Sequence, residues 1–290
     1  MPTHPATQIR TAAVLGAGTM GHGIAHVLAL AGIEVRLYDI AAGAVEKGLS
    51  GIRANLEKGV AKGKLGAPER DAALARIRGT TQLEEATADV QCVVEAVPEK
   101  LELKQKLFAE LGARLPAEVL LATNTSSLPI SRIASVTPNA ERVVGMHFFN
   151  PVHIMALVEV VVTERSSESA IQSAVALARR IGKEPIVVKD SPGFASSRLG
   201  VLLGLEAIRM VESGVASAED IDKALVLGYG HPMGPLRLSD LVGLDVRLSI
   251  ADYLAKEFGE RFEAPALMRE MVKRGELGKK SGKGFYEWKD

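Results

Sequence analysis

Residues 14–26 read Val14-Leu15-Gly16-Ala17-Gly18-Thr19-Met20-Gly21-His22-Gly23-Ile24-Ala25-His26, and this stretch decides the fold. It runs from a strand through a glycine-rich turn into the start of a helix. Gly16, Gly18 and Gly21 keep the spacing G-x-G-x-x-G. In that spacing the first glycine makes a tight turn, and the second lets backbone approach a pyrophosphate. The third lets the helix pack closely on the strand. A helix opening at Met20 aims its unpaired N–H groups and positive dipole end at the phosphates. Gly16, Gly18, Thr19, Met20 and Gly21 are therefore candidate cofactor-binding residues.

The flanking sequence supports this reading. Residues 12–15 are an uninterrupted apolar run, the pattern of a strand buried on both faces of a parallel sheet. Residues 24–31 are apolar at helical spacing, and Gly32 supplies the stop. Residues 34–38 read as a second strand with Asp39 at its end. In a dinucleotide-binding unit an acid near that position bonds the ribose 2′-hydroxyl. Its charge opposes a 2′-phosphate. Ile40 and Ala41 follow rather than basic residues, and Arg36 lies within the strand, so NAD is favoured over NADP. The alternative is an ordinary βαβ turn that binds nothing.

Further along, strand and helix patterns alternate. Helices are expected over residues 42–62, 68–78, 99–111 and 167–181. Strands are expected over 90–96, 119–123, 142–147, 157–163 and 185–189. After Asp190-Ser191-Pro192-Gly193 no clear strand follows. Residues 194–212, 218–225, 236–258 (broken near Gly243) and 265–274 read as helices. The expected fold is α/β: a Rossmann-like, doubly wound, NAD-binding domain over residues 1–189, then an all-helical substrate and dimerisation domain over 190–290.

Composition narrows the class. Formal net charge is zero over 290 residues, so nothing suggests a nucleic-acid or anionic-membrane partner. No apolar run is long enough to span a bilayer, and the first ten residues lack a signal-peptide core. The single cysteine, Cys92, lies in an apolar run and reads as packing. These features fit a reducing, cytoplasmic setting. His22 and His26 are spaced for one helical face, but the glutamate of H-E-x-x-H and a third ligand are missing, so no metal is expected. Lys58, Lys62 and Lys64 form a basic run that solvation alone would explain.

One pair of residues stands out chemically. His147 ends a strand before Phe148-Phe149-Asn150-Pro151, and Glu159 interrupts the apolar strand Leu157-Val158-Glu159-Val160-Val161-Val162. If the two strands pair across the intervening turn, His147 and Glu159 meet. A buried carboxylate is costly unless a donor or cation accompanies it. An imidazole serves, and the carboxylate then fixes its tautomer and stabilises its protonated form. Such a dyad suits general-base removal of a hydroxyl proton as hydride leaves the carbinol carbon. The competing reading is an edge carboxylate near a surface histidine.

With these pieces in hand, the chain resembles the short-chain (S)-3-hydroxyacyl-CoA dehydrogenases of the 3-hydroxybutyryl-CoA dehydrogenase type over nearly its whole length. The resemblance rests on the glycine turn, Asn124-Thr125-Ser126-Ser127-Leu128, His147-Phe148-Phe149-Asn150-Pro151, Leu157-Val158-Glu159-Val160 and Asp190-Ser191-Pro192-Gly193-Phe194. Gly230-His231-Pro232-Met233-Gly234-Pro235 and Gly278-Lys279-Lys280-Ser281-Gly282-Lys283-Gly284-Phe285-Tyr286 complete it. It implies that His147 is the general base and Glu159 its partner. It also implies that Ser126 and Asn150 hold the substrate oxygen and the nicotinamide region, and that Asp39 binds the adenosine ribose. Glu99, Lys104 and Lys280 match cofactor contacts, and Asn55 and Lys62 match coenzyme A contacts. The implied assembly is a homodimer through the helical domain, and the implied partner is an acyl-CoA. The family often reads P-G-F-x-x-N-R, whereas Ser197 stands here in place of the asparagine. Serine keeps a donor and acceptor but reaches less far. A sugar-acid dehydrogenase of the gulonate type, which shares the histidine–glutamate pair, and a non-catalytic NAD-binding protein are the alternatives.

Overall fold

In the computed structural model, which describes residues 9–288, the apolar segment ahead of the glycine turn forms the centre of a sheet. Residues 1–8, part of the segment read as lacking a signal core, and residues 289–290 lie outside the described residues. β1 (Thr11–Leu15) pairs in parallel with β2 (Glu34–Tyr38) on one side and β4 (Cys92–Glu95) on the other. β3 (Ile77–Thr80), β5 (Leu120–Thr123), β6 (Val143–Phe148), β7 (Leu157–Val162) and β8 (Glu184–Lys189) complete an eight-stranded sheet of order β3-β2-β1-β4-β5-β6-β7-β8. The reversal of strand order beside β1 is the topological switch point where open α/β sheets place a ligand. β4, β5 and β6 are buried at every residue, which explains their lack of apolar–polar alternation. Only β7 runs antiparallel to its neighbour β6, while β8 is parallel to β7.

The helices of this unit are α1 (Thr19–Leu30), α2 (Ala42–Ala61), α3 (Ala67–Ala75), α4 (Leu83–Thr87), α5 (Leu101–Arg114), α6 (Ile130–Ala134) and α7 (Glu168–Arg180). The structure corrects the helix expected over residues 68–78. It ends at Ala75, and Ile77–Thr80 is the edge strand β3. That strand is short and half-exposed, with no apolar run to announce it. Its Gly79 permits close cover by α2, because a Cβ there would drive into Val45 and Leu49. The five-residue helices α4 and α6 likewise escape a reading built on longer periodicity.

A second compact unit begins at Pro192, directly after Ser191. It contains α8 (Ser196–Glu212), α9 (Ala218–Tyr229), α10 (Pro235–Val242), α11 (Leu244–Phe258) and α12 (Ala266–Lys273). The expected break between α10 and α11 falls at Gly243, whose φ of 101° only glycine adopts without strain. Two buried aspartates tie this unit together. Asp222 accepts from the Leu236 and Arg237 amides at the start of α10 and from the Tyr286 hydroxyl. Asp240 accepts from the Phe285 and Tyr286 amides and from Trp288 Nε1. The start of α10 and residues 285–288 therefore do structural service as the donors of these bonds. Leu205 and Ile208 are buried in the unit's own core, whereas Leu199 is 67% exposed. Among the described residues no helix is long and apolar enough to cross a membrane.

Candidate active site

The glycine turn joins β1 to α1 at the switch point. Gly16 donates its N–H to the Tyr38 carbonyl (2.8 Å) and holds φ at 101°, and a Cβ there would lie 2.5 Å from the Ala96 carbonyl oxygen. A Cβ on Gly21 would collide with the Gly16 carbonyl, so this glycine lets α1 start directly on β1. Gly18 differs from both, because a Cβ there would meet no protein atom within 4 Å. Protein packing gives no reason for a glycine at this point. An exposed backbone facing open space, at the N-terminus of a 12-residue helix, suits a pyrophosphate. Asp39 Oδ2 accepts from the Ala17 amide (2.9 Å) and Oδ1 from the Ala41 amide (3.3 Å), which anchors the acid beside the turn. Arg36 is engaged by the Glu85 and Ala88 carbonyls, so it is not available to a 2′-phosphate. These residues fit NAD.

Antiparallel pairing of β6 with β7 places His147 directly opposite Glu159. Their side chains share a face, and His147 Nδ1 lies 2.7 Å from Glu159 Oε2. Glu159 is completely buried and His147 is 6% exposed. An ionised carboxylate only accepts, so Nδ1 carries the proton and donates it, which makes Nε2 the basic nitrogen of the ring. Phe149 packs against the imidazole with ring centroids 4.5 Å apart. At the neighbouring strand end, Asn124 Oδ1 accepts from the Phe148 amide (2.9 Å) and so ties the turn after β5 to the end of β6. Asn150 is exposed at the turn that follows.

Ser126 is half-buried in that turn after β5, and its neighbourhood is organised by Glu99. Glu99 Oε1 accepts from the Thr125 hydroxyl (2.5 Å), the Ser126 amide (2.9 Å) and hydroxyl (3.3 Å), and the Ser127 amide (3.3 Å). Partial burial raises the Glu99 pKa, but the Lys104 charge and these hydrogen bonds outweigh it and hold the carboxyl below its ordinary value. Lys104 is only 1% exposed. Its Nζ lies 2.6 Å from Glu95 Oε1 and 3.4 Å from Glu99 Oε2. Glu95 is the residue that sequence reasoning overlooked. It is fully buried at the end of β4. The signal was available, since a carboxylate in an apolar strand is the feature that draws attention to Glu159.

Asn55 and Lys62 meet in a cavity of about 720 Å³ alongside α2, with Lys58, Lys64, His26 and His153 also on its wall. His26 and His153 stack with ring centroids 5.3 Å apart. Burial, aided by the charges of His153, His22 and Lys183, pushes the His26 pKa down to about 4, so the ring is neutral at pH 7. His22 Nδ1 lies 2.9 Å from the Gly18 carbonyl oxygen. Among the described residues no group of His, Cys, Asp or Glu side chains is arranged to hold a metal ion. Lys280 belongs to the second unit, where its Nζ pairs with Asp245 Oδ1 at 2.5 Å.

Comparison with known proteins gives a consistent picture. Residues 11–191 match the domain described as 3-hydroxyacyl-CoA dehydrogenase, NAD binding domain, and residues 193–288 match the C-terminal domain of the same family. A 3-hydroxybutyryl-CoA dehydrogenase of Mycobacterium tuberculosis is 46% identical over 97% of this chain and 99% of that protein. A 3-hydroxyadipyl-CoA dehydrogenase of Escherichia coli is 42% identical over 97% of this chain, which spans 59% of that protein. The crystal structure of an (S)-3-hydroxybutyryl-CoA dehydrogenase from Ralstonia eutropha superposes with a TM-score of 0.93, at 41% identity, over 98% of this chain and 100% of that one.

Proposed function

The chain belongs to the 3-hydroxyacyl-CoA dehydrogenase family, and from that premise we propose that it oxidises short-chain (S)-3-hydroxyacyl-CoA thioesters to 3-oxoacyl-CoA, and runs the reverse, with His147 as general base. The observation that carries the proposal is the buried His147–Glu159 contact of 2.7 Å. In oxidation Nε2 of His147 takes the proton of the substrate hydroxyl. A bound nicotinamide cofactor would supply the redox partner, NAD⁺ taking the hydride in oxidation and NADH giving it up in reduction. The imidazolium formed is stabilised by Glu159, whose charge is unscreened at full burial. Ser126 and Asn150 are assigned to the substrate oxygen and the nicotinamide region. Gly16, Gly18, Thr19, Met20, Gly21, Asp39, Glu99 and Lys280 are assigned to the cofactor. A steady-state panel of acetoacetyl-CoA, longer 3-oxoacyl-CoAs and gulonate, each with the nicotinamide cofactor, tests the reading. Turnover with gulonate alone, or with no thioester, would overturn it. The proposal includes a reducing, cytoplasmic setting, which the solitary and buried Cys92 supports.

The cavity at Asn55 and Lys62 is assigned to the phosphate-bearing end of coenzyme A. Lys62 is exposed at the end of α2, with Lys58 and Lys64 close by in sequence on the same wall. A charge-assisted contact of this kind contributes about 1.5–3 kcal/mol. Lys62→Ala should therefore raise KM for acetoacetyl-CoA by roughly ten- to a hundredfold and leave KM for NADH nearly unchanged. Equal effects on both would assign the lysine to the fold.

We also propose a homodimer through the helical unit. Leu199, Val215, Leu227 and Tyr229 are 67%, 63%, 80% and 81% exposed there, an apolar surface that association would cover. Sedimentation at micromolar concentration should report twice the chain mass, and a monomer would refute the assembly.

A further inference from the structure

Glu95 is buried without exposure at the carboxyl end of β4, next to Leu15 of β1 in the sheet register and opposite Thr123 of β5. Three donors converge on it. The Val97 amide and Lys104 Nζ donate to Oε1 at 2.6 Å each, and the Thr123 hydroxyl donates to Oε2 at 2.6 Å. Burial holds the Glu95 pKa above its ordinary value, and the Lys104 charge and the hydrogen bonds from Lys104, Thr123 and Val97 offset only part of that rise. The donor set is the one that an ionised carboxylate satisfies. Lys104 is 1% exposed, and its remaining contacts are the Val97 carbonyl (3.2 Å) and Glu99 Oε2 (3.4 Å). Glu99 is the outermost member, and its other oxygen gathers the turn that carries Ser126. A single ammonium is thus held between a buried and a part-exposed carboxylate. The chain of contacts runs from the sheet interior to the Ser126 backbone.

A buried ion pair is a poor stabiliser compared with well-packed apolar residues of the same volume. It does provide direction, because each partner allows the other few positions. We propose that Glu95 is a positioning residue of the dehydrogenation site: it pins Lys104, and Lys104 holds Glu99 where it orders the Ser126 turn. This rests on the assignment of Ser126 to the reacting end of the site. Glu95 touches neither substrate nor cofactor in this scheme.

Removing Glu95 alone would leave a buried ammonium unpaired and could unfold the chain, so the test uses a paired substitution. Glu95→Gln with Lys104→Gln removes both charges while keeping polar groups of similar reach. The double variant should fold, with a Tm close to that of the parent. The amides of Ser126 and Ser127 should exchange with solvent at least about tenfold faster. The kcat with acetoacetyl-CoA should fall by about ten- to a hundredfold, as expected when a contacting group loses its fixed position, while KM for acetoacetyl-CoA stays within about twofold. A merely structural pair would lower Tm and leave kcat, KM and exchange at 126–127 unchanged in the folded fraction. That result overturns the proposal, and so does unchanged exchange at 126–127 in a stably folded variant. Glu99→Gln should reproduce the kcat loss. If the parent proves inactive with every thioester, the dehydrogenase assignment fails while the exchange measurement still decides the positioning role.

Discussion

Replacing His147 by alanine should lower kcat by about 10²–10⁴-fold, the range typical of a positioned general acid–base group. The expectation follows from burial as well as identity. His147 is 6% exposed and Glu159 is fully buried, so no bulk water stands ready to take over the proton transfer. Affinity for NADH should persist, because the glycine turn and Asp39 lie on β1, α1 and β2, away from β6 and β7. Glu159→Gln preserves shape but removes the charge that stabilises the imidazolium, and it lets the amide present either a donor or an acceptor to the ring. Its kcat should fall as well, by less than that of His147→Ala. Since Glu159 works through the imidazole, the double variant should be little worse than His147→Ala alone. Fully additive losses would mean separate roles, and near-normal turnover by a folded His147→Ala protein would end the mechanism.

The parts of the fold that are legible in the sequence are those where one physical demand dominates. β1 declares itself because burial on two faces requires an apolar run, β2 because Val35 and Leu37 alternate with more exposed residues, and the tight turn because it requires glycine where φ is positive. The contact between His147 and Glu159 is legible because a carboxylate in an apolar strand demands a partner, and an antiparallel return strand supplies one. Glu95 obeys the same logic, yet its partner Lys104 arrives from a helix nine residues on rather than across a hairpin. Sequence spacing alone does not bring them together. The depth of Lys104, whose ammonium is 1% exposed, is likewise not written in its motif position. In the helical unit, leucines at similar spacing divide between the core (Leu205) and the surface (Leu199), and only the angle at which α8 packs decides which.

The glycine turn separates binding from stability, and the sharpest contrast there is between Gly18 and Gly21. Gly21→Ala should destabilise the first unit severely. The new Cβ would collide with the Gly16 carbonyl, whose residue is already held by the bond from its own N–H to the Tyr38 carbonyl. Relief requires α1 to move off β1, at a cost of about 3 kcal/mol or more. A fall in Tm of roughly 5–10 °C is expected, with NADH binding lost along with the turn geometry. Gly18→Ala is the opposite case. Its φ of −65° suits alanine, and the added Cβ meets no protein atom within 4 Å, so Tm should not change. The methyl group would instead occupy the space through which a pyrophosphate approaches the Thr19–Leu30 helix. Affinity for NADH, read by cofactor fluorescence, should weaken by at least about tenfold in a protein as stable as the parent. Unchanged affinity in Gly18→Ala would mean that the dinucleotide does not lie over this turn, and the assignment of Gly16, Gly18, Thr19, Met20 and Gly21 to the cofactor would fall with it.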